Sequence, residues 1–432
     1  MADHPVVSTG IRAGRAARLF TGINHRTANE NAMAGPGSYW IGEEERREVM
    51  DVFETGYLSR YGDFDDPAFK HKVCTLEEEF AKYCGVSHGL GTSSGTGSLM
   101  IAMLSLGLEP GDEVIVPTYG YVASYTAAIF IGVVPVLCEI DDSLTLDPGD
   151  IESRITSRTR AIMPVHMLGA PCDMDAIMGV ADKHGLVVIE DACQAAGASY
   201  RGRKVGGFGR MGAFSLNIHK TITAGEGGLL VTDEPGLHGR AFGVQDQGYK
   251  PTGGGIGIGE DSILGLNFRI NELTGAVALA QLRKLDRITA TLREKKAKLK
   301  EALGGIEGAG FRRIHDAGGE CATLCTVIFD EAEAAARVAA ELGTDTVDHT
   351  GWHVYSNMDH INRHLAEIGR PHGKGAYPRT DDILGRAINI SVGVVDAGLG
   401  SGFGININST DGEIGEVAER FRTACGHVGA GV

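Results

Sequence analysis

Between residues 85 and 235 the apolar positions fall into short unbroken runs separated by stretches of helical spacing. Runs such as LVVIE, at 186–190, show no polar alternation, the pattern of a strand buried on both faces. The candidate strands are Val114–Pro117, Val133–Ile140, Ala161–His166, Leu186–Asp191, Ala213–Leu216 and Leu229–Thr232. Helical spacing predicts helices over Thr96–Leu106, Tyr121–Phe130, Pro148–Arg154 and Met174–Lys183. Strand and helix in alternation predict an α/β fold: a mostly parallel sheet with helices on both sides.

The pattern changes at Asn271. NELTGAVALAQLRKLDRITATLREKKAKLKEAL reads as one long helix with Asn271 as its N-cap, apolar at the start and charged at the end. The glycine-rich segment 247–262 has no apolar period and reads as a loop. The expected organisation is an N-terminal arm over 1–37, a large domain over 38–283 and a smaller α/β domain over 284–432.

Composition narrows the function classes. The 432 residues are 43% apolar and 22% charged, ordinary for a soluble globular chain. A net charge of -16 argues against nucleic acid as the main partner and against an anionic membrane surface. No apolar run is long enough to cross a bilayer, and the N-terminus lacks a signal-peptide pattern. Arg12, Arg15, Arg18 and Arg26 give the arm a trace of transit-peptide character, but a flexible arm is the expectation. Eight scattered cysteines without a CxxC pair predict reduced thiols in a cytoplasmic protein. Cys321 and Cys325 are joined by no histidine cluster, so no metal site is expected.

Three soft signals carry chemistry. FSLNIHKTITAGEGG, residues 214–228, sets Lys220 just after a strand and before a glycine run that lets backbone pack closely. A surface charge is the ordinary reading of a lysine; a confined one can lose its proton and attack a carbonyl. Asp191 ends the buried strand GLVVIED, where open parallel sheets gather ligands; it is either a helix cap or the partner of a cation. GTSSGTG, at 91–97, opens an apolar helix, and such a start is either an ordinary Ser/Thr cap or a phosphate cup. One cofactor explains all three. Pyridoxal phosphate needs a lysine for its Schiff base, a carboxylate against its ring nitrogen and a cup for its phosphate.

With these motifs in order, the chain resembles the DegT/DnrJ/StrS family of sugar aminotransferases. The resemblance runs through SSGTGSL, GDEVIVPTYGYVAS, VHMLGAPCDMDAI, VIEDACQAAGA, GAFSLNIHKTITAGEGG and LGLNFRINELTGAVALAQL. It covers residues from about Gly37 to Leu285, and more loosely the remainder. It implies the type I fold of pyridoxal-phosphate enzymes and a homodimer with shared active sites. It implies roles as well. Lys220 would bond the cofactor and move the proton, Asp191 would pair with the ring nitrogen, and Gln194 would sit near the ring. Gly95, Thr96 and Ser215 would hold the phosphate, and Tyr121 would stack on the ring. Asn267 would reach the neighbouring subunit's cofactor, and Arg269 would order its loop or meet substrate. Gly120 in place of a common threonine, FSL in place of FSF, and Tyr121 in place of Phe or Trp are the departures. None removes a catalytic group. His219 reads as a loop residue within reach of the cofactor pocket, and His166 as structural.

Downstream, GWHVYSNMDHI, residues 351–361, offers His353, Asn357 and His360 either to a polar substrate pocket or to a packed interdomain segment. SVGVVDAGLGSGFGI, at 391–405, could return to that pocket. The activity expected is transfer of an amino group from L-glutamate or L-glutamine to a keto or aldehyde carbon. The acceptor would be a sugar, nucleotide sugar or cyclitol of antibiotic or glycan synthesis. The rivals are a dehydratase of the aminohydroxybenzoate-synthase type and a non-catalytic protein that keeps the fold.

Overall fold

A computed structural model describes residues 34–252, 255–259 and 262–429. The arm expected over 1–37 therefore lies outside the described residues as far as residue 33. The described residues pack as a single compact unit.

Its centre is a seven-stranded sheet: β1 (His88–Thr92), β2 (Glu113–Pro117), β3 (Val134–Cys138), β4 (Thr159–Ile162), β5 (Val187–Asp191), β6 (Met211–Ser215) and β7 (Gly228–Thr232). The spatial order is β1-β7-β6-β5-β4-β2-β3. β7 pairs antiparallel with both β1 and β6, while the pairs from β6 through to β3 are parallel. The absence of polar alternation has the expected cause. Val114 and Val116 enter one apolar layer while Ile115 enters the opposite one, and Ile189 and Val188 divide in the same way. Helices Gly95–Ser105 and Ala123–Phe130 cover one face; Pro148–Arg154 and Met174–His184 cover the other. Ser94, Asp147, Asp173 and Asn271 cap their helices through side-chain oxygens, as their residue types favour.

Three expectations need correction. The stretch from Asn271 is two helices, Glu272–Leu282 and Leu285–Leu303. The break falls where Lys284 turns inward to donate to the Trp40 carbonyl at 2.7 Å and to Glu45 at 2.8 Å. Within the segment read as a loop, Lys250–Thr252 pairs with Gly255–Gly257 as a short hairpin. β1, sequence HGLGT, carries too little apolar signal to read as a strand. It is held instead by β7 and by close packing: a β-carbon on Gly89 would lie 2.4 Å from the Glu77 carbonyl oxygen.

The C-terminal part contains a second, antiparallel sheet of β8 (Ala309–Phe311), β9 (Leu324–Phe329) and β10 (Ala387–Ser391). Helices Leu285–Leu303, Ala332–Leu342 and Asp411–Gly429 pack on it. Its apolar layer runs without interruption into β6 and β7, because Phe214, Leu229 and Val231 share a cluster with Val327 and Ile388. The C-terminal part is thus anchored directly on the strands that carry the lysine loop.

Candidate active site

The parallel strands end on one edge, and a cavity of about 230 Å³ opens there. β5 delivers Asp191 and β6 delivers Ser215, while the helix after β1 delivers Gly95 and Thr96. Successive strand residues point oppositely, and this separates the two acids of IEDACQ. Glu190 faces away, where it accepts from the amides of Gly206, Phe208 and Gly209 at 2.6–2.7 Å and meets His166 Nε2 at 3.1 Å. His166 Nδ1 accepts from the Cys172 amide, so this histidine is structural. Asp191 faces the cavity. It accepts from the Ser124 hydroxyl at 2.7 Å and from the Cys193 amide at 3.1 Å, and remains 4% exposed.

Asn217 builds the loop that carries Lys220. Its carbonyl accepts from the Lys220 amide at 3.0 Å, and its side chain accepts from the His219 amide and donates to Glu226 at 3.0 Å. The glycines that follow have distinct reasons. Gly225 and Gly227 take φ values of +82° and +144°, a region that side chains disfavour. Gly228 lies against Ser94, where a β-carbon would come within 2.5 Å of the carbonyl. Across the loop runs residue 35, whose amide donates to the Ile218 carbonyl at 2.9 Å. A β-carbon on Gly35 would sit 2.3 Å from the His219 backbone. The lysine of FSLNIHKTITAGEGG is thus half-buried in a loop pinned from two sides. Its Nζ lies 5.6 Å from the Tyr121 ring centroid and has no hydrogen-bond or ion-pair partner among the described residues.

At the start of the cavity's helix, the Ser94 hydroxyl accepts from the Gly97 amide at 3.0 Å. The amides of Gly95 and Thr96 have no partner inside the helix. Gly95 has no room for a side chain: a β-carbon would lie 2.8 Å from Cys193 Sγ and 2.9 Å from Ser215 Cβ. The cavity therefore has anion-suited amides and hydroxyls at one end, a carboxylate at its floor and an unpaired amine beside an aromatic ring. That donor set fits pyridoxal phosphate, with its phosphate, ring nitrogen and aldehyde.

Gln194 also lines the cavity, and its Oε1 accepts from the Leu168 amide at 2.9 Å. His219 lines it with Nδ1 buried and unpartnered among the described residues. His353 lines it too, 4% exposed, with its ring 5.3 Å from that of Tyr121. Burial and then the nearby Lys220 charge lower its pKa to about 4, so the imidazole is neutral near pH 7. Segment 352–355 pairs its backbone with 118–122, so GWHVYSNMDHI is a packed segment, and of its three candidate polar residues only His353 lines the cavity.

The other candidates lie elsewhere. Asn357 donates to the carbonyls of Asp348 and Thr350, and His360 packs beside Trp352, so neither lines the cavity. Asn267 is exposed and Arg269 pairs with Asp246, both outside the lining of this chain's cavity. The returning tail is found: Val394, Asp396 and Leu399 are lining residues. Sequence reasoning missed Ser124, Asn217, Glu226 and Asp396, although each stands within a quoted stretch, because nothing in the local pattern sets these side chains apart from their neighbours.

The profile of the DegT/DnrJ/EryC1/StrS aminotransferase family matches residues 40–394. A dTDP-3-amino-3,4,6-trideoxy-alpha-D-glucose transaminase from Streptomyces venezuelae is 34% identical over 74% of this chain and 81% of its own. A GDP-perosamine synthase from Caulobacter vibrioides is 40% identical over 56% of this chain and 62% of its own. An L-glutamine:2-deoxy-scyllo-inosose aminotransferase from Streptoalloteichus tenebrarius is 42% identical over 53% of this chain and 56% of its own. The chain thus aligns with less than two thirds of the length of the last two. Among solved structures, 3-amino-5-hydroxybenzoic acid synthase superposes with a TM-score of 0.75 at 27% identity, covering 90% of this chain and 97% of the other. With the lysine, the aspartate and the phosphate-suited helix start converging on one cavity, the chain belongs to the DegT/DnrJ/EryC1/StrS family of pyridoxal-phosphate-dependent aminotransferases.

Proposed function

We propose that this chain moves an amino group from L-glutamate or L-glutamine to a keto or aldehyde carbon of a sugar, nucleotide sugar or cyclitol, for an antibiotic or a glycan. The observation that carries the reading is Lys220, whose unpaired Nζ shares one cavity with Asp191. Pyridoxal phosphate supplies an aldehyde that bonds amines and a ring that accepts electrons.

The chain's residues do the rest. Gly95, Thr96 and Ser215 would hold the phosphate, with the helix start favouring negative charge. Asp191 would keep a proton on the ring nitrogen, itself held by Ser124. Tyr121 would cover one face of the ring, and Gln194 would lie near its edge. Lys220 Nζ would take the proton from the donor's Cα in the first half-reaction. In the second it would give one to the acceptor's former carbonyl carbon.

The same reading takes residues 38–283 as the cofactor-binding part and 284–432 as the smaller part. It takes the working unit as a homodimer, with Asn267 and Arg269 facing the partner's site. The eight free thiols suit a reducing compartment, and we place the protein in the cytoplasm.

An absorbance titration tests the activity. With cofactor bound, addition of L-glutamate or L-glutamine should bleach the visible band, and Lys220→Ala should lose both the band and turnover. Full turnover by Lys220→Ala would sink the assignment. The likeness to 3-amino-5-hydroxybenzoic acid synthase supports a second reading, dehydration to an aromatic amine. An aromatic product formed without any amino donor would favour it.

A further inference from the structure

We infer that Asp246, with Tyr61, is a positioning residue for the neighbouring subunit's site: it locks the Asn267–Arg269 turn that serves the partner's cofactor. The inference rests on the homodimer reading proposed above and adds the device that sets the shared element.

Asp246 stands where a carboxylate is disfavoured. It follows the helix Pro235–Gln245, whose C-terminal end carries partial negative charge, and it is fully buried. Two donors offset that cost. The Tyr61 hydroxyl donates to Oδ2, and Arg269 Nη1 donates to Oδ1. Burial and then the bond to Asp246 raise the pKa of Tyr61, so it stays a protonated donor. The Arg60 guanidinium lies 5.6 Å from the ring centroids of both Tyr61 and Phe242, holding the tyrosine against the same helix.

The backbone of the turn is tied to the same place. Asp246 and Asn267 form an antiparallel bridge, and the amides of Leu266 and Phe268 donate to the carbonyls of Val244 and Gln245 at 2.9 Å. The Arg269 amide donates to Asn267 Oδ1 at 3.2 Å, which leaves the Nδ2 hydrogens of this exposed side chain as donors for an anion. Beside it Leu264 and Leu266 are 98% and 60% exposed, an apolar surface suited to a second copy of this chain. The turn also touches its own chain's helix start, since the Phe268 carbonyl accepts from the Ser93 amide at 2.6 Å. Asn267 itself lies outside the lining of its own cavity, so what Asp246 does through it falls on the partner.

The test titrates the full-length protein with pyridoxal phosphate and follows the visible band, which only a chain with Lys220 can give. Asp246→Asn keeps the shape and removes the charge that holds Arg269, and it should weaken cofactor binding about tenfold. Tyr61→Phe should give a smaller loss in the same direction, and serves if Asp246→Asn does not fold. A mixed dimer of one Lys220→Ala chain and one Asp246→Asn (or Tyr61→Phe) chain is then isolated through two different affinity tags. Its one lysine-bearing site faces the intact turn of the Lys220→Ala chain, so the band should form with wild-type affinity. Affinity still weakened in the mixed dimer would place the effect within one chain, through Ser93, and overturn the inference. Unchanged affinity in both homodimeric variants, or recovery of no mixed dimer, would overturn it too, while bleaching of the wild type by glutamate kept the aminotransferase reading standing. A wild type that gives no band with pyridoxal phosphate would remove both.

Discussion

Ser124 donates its hydroxyl to Asp191 Oδ2 at 2.7 Å, joining the helix after β2 to the acid that ends β5. Nothing in the local sequence of either residue marks the pair. A buried carboxylate with few donors is free to rotate, and this bond fixes the face it turns to the cavity. Ser124→Ala should weaken cofactor binding about tenfold, the effect of one lost hydrogen bond to a charged group. Equilibrium titration followed by absorbance measures it, and unchanged affinity would show that the Cys193 amide alone suffices.

The glycines of AGEGG should not be equivalent. Gly228→Ala would push a methyl against the Ser94 backbone at 2.5 Å, and backbone on both sides has little freedom to yield. It should cost at least about 2 kcal/mol. Gly225→Ala meets no neighbour and carries only the strain of φ +82°, about 1 kcal/mol. Chemical denaturation of the two variants side by side checks the order.

Lys296 and Glu320 form a buried ion pair at 2.6 Å in the C-terminal part. Burial lowers the lysine's pKa against the pull of its partner. Glu320→Gln leaves an uncompensated charge and should destabilise the fold by about 3 kcal/mol. Replacing both, Lys296→Met with Glu320→Leu, should recover much of that loss, as a double-mutant cycle would show.

Acid should weaken the fold through two histidines. The pKa of His353 is lowered to about 4 by burial and then by Lys220. That of His238 is lowered to about 4 by burial and then by His88, stacked on it at 4.8 Å. Unfolded histidine titrates near 6.5, so between about pH 6.5 and 4 the unfolded chain binds protons that the fold refuses. Stability is then fully retained above about pH 6.5 and falls as the pH drops toward 4, by up to about 3 kcal/mol per site. Urea midpoints at pH 7.5 and 5 should show the decline, and His238→Gln should lessen it.

Much of the central sheet is legible along the chain, because a strand covered on both faces must be apolar without alternation. Val187–Asp191 and Met211–Ser215 announce themselves in that way. β1 does not, since in HGLGT only Leu90 and Thr92 bury side chains of any size and the rest of the strand is held by its neighbours and by the close fit of Gly89 and Gly91. The strands of the C-terminal sheet were not singled out, although Leu324–Phe329, LCTVIF, is itself a largely apolar run, and the helix break at Arg283–Lys284 depends on Trp40 and Glu45, far off in sequence.

The site divides along the same line. Lys220, Asp191 and the SSGT helix start are visible because the chemistry demands those residue types beside strand ends and glycines. Ser124, Asp396 and the choice of His353 over Asn357 and His360 are not. Serine, aspartate and histidine occur in any loop, and their meaning depends on which atoms they meet. By itself the sequence determined the doubly covered sheet and the place of the lysine, through burial and backbone freedom. Only the tertiary structure decided which side chains close the cavity. Those contacts join residues tens to hundreds of positions apart, and no local periodicity encodes such a meeting.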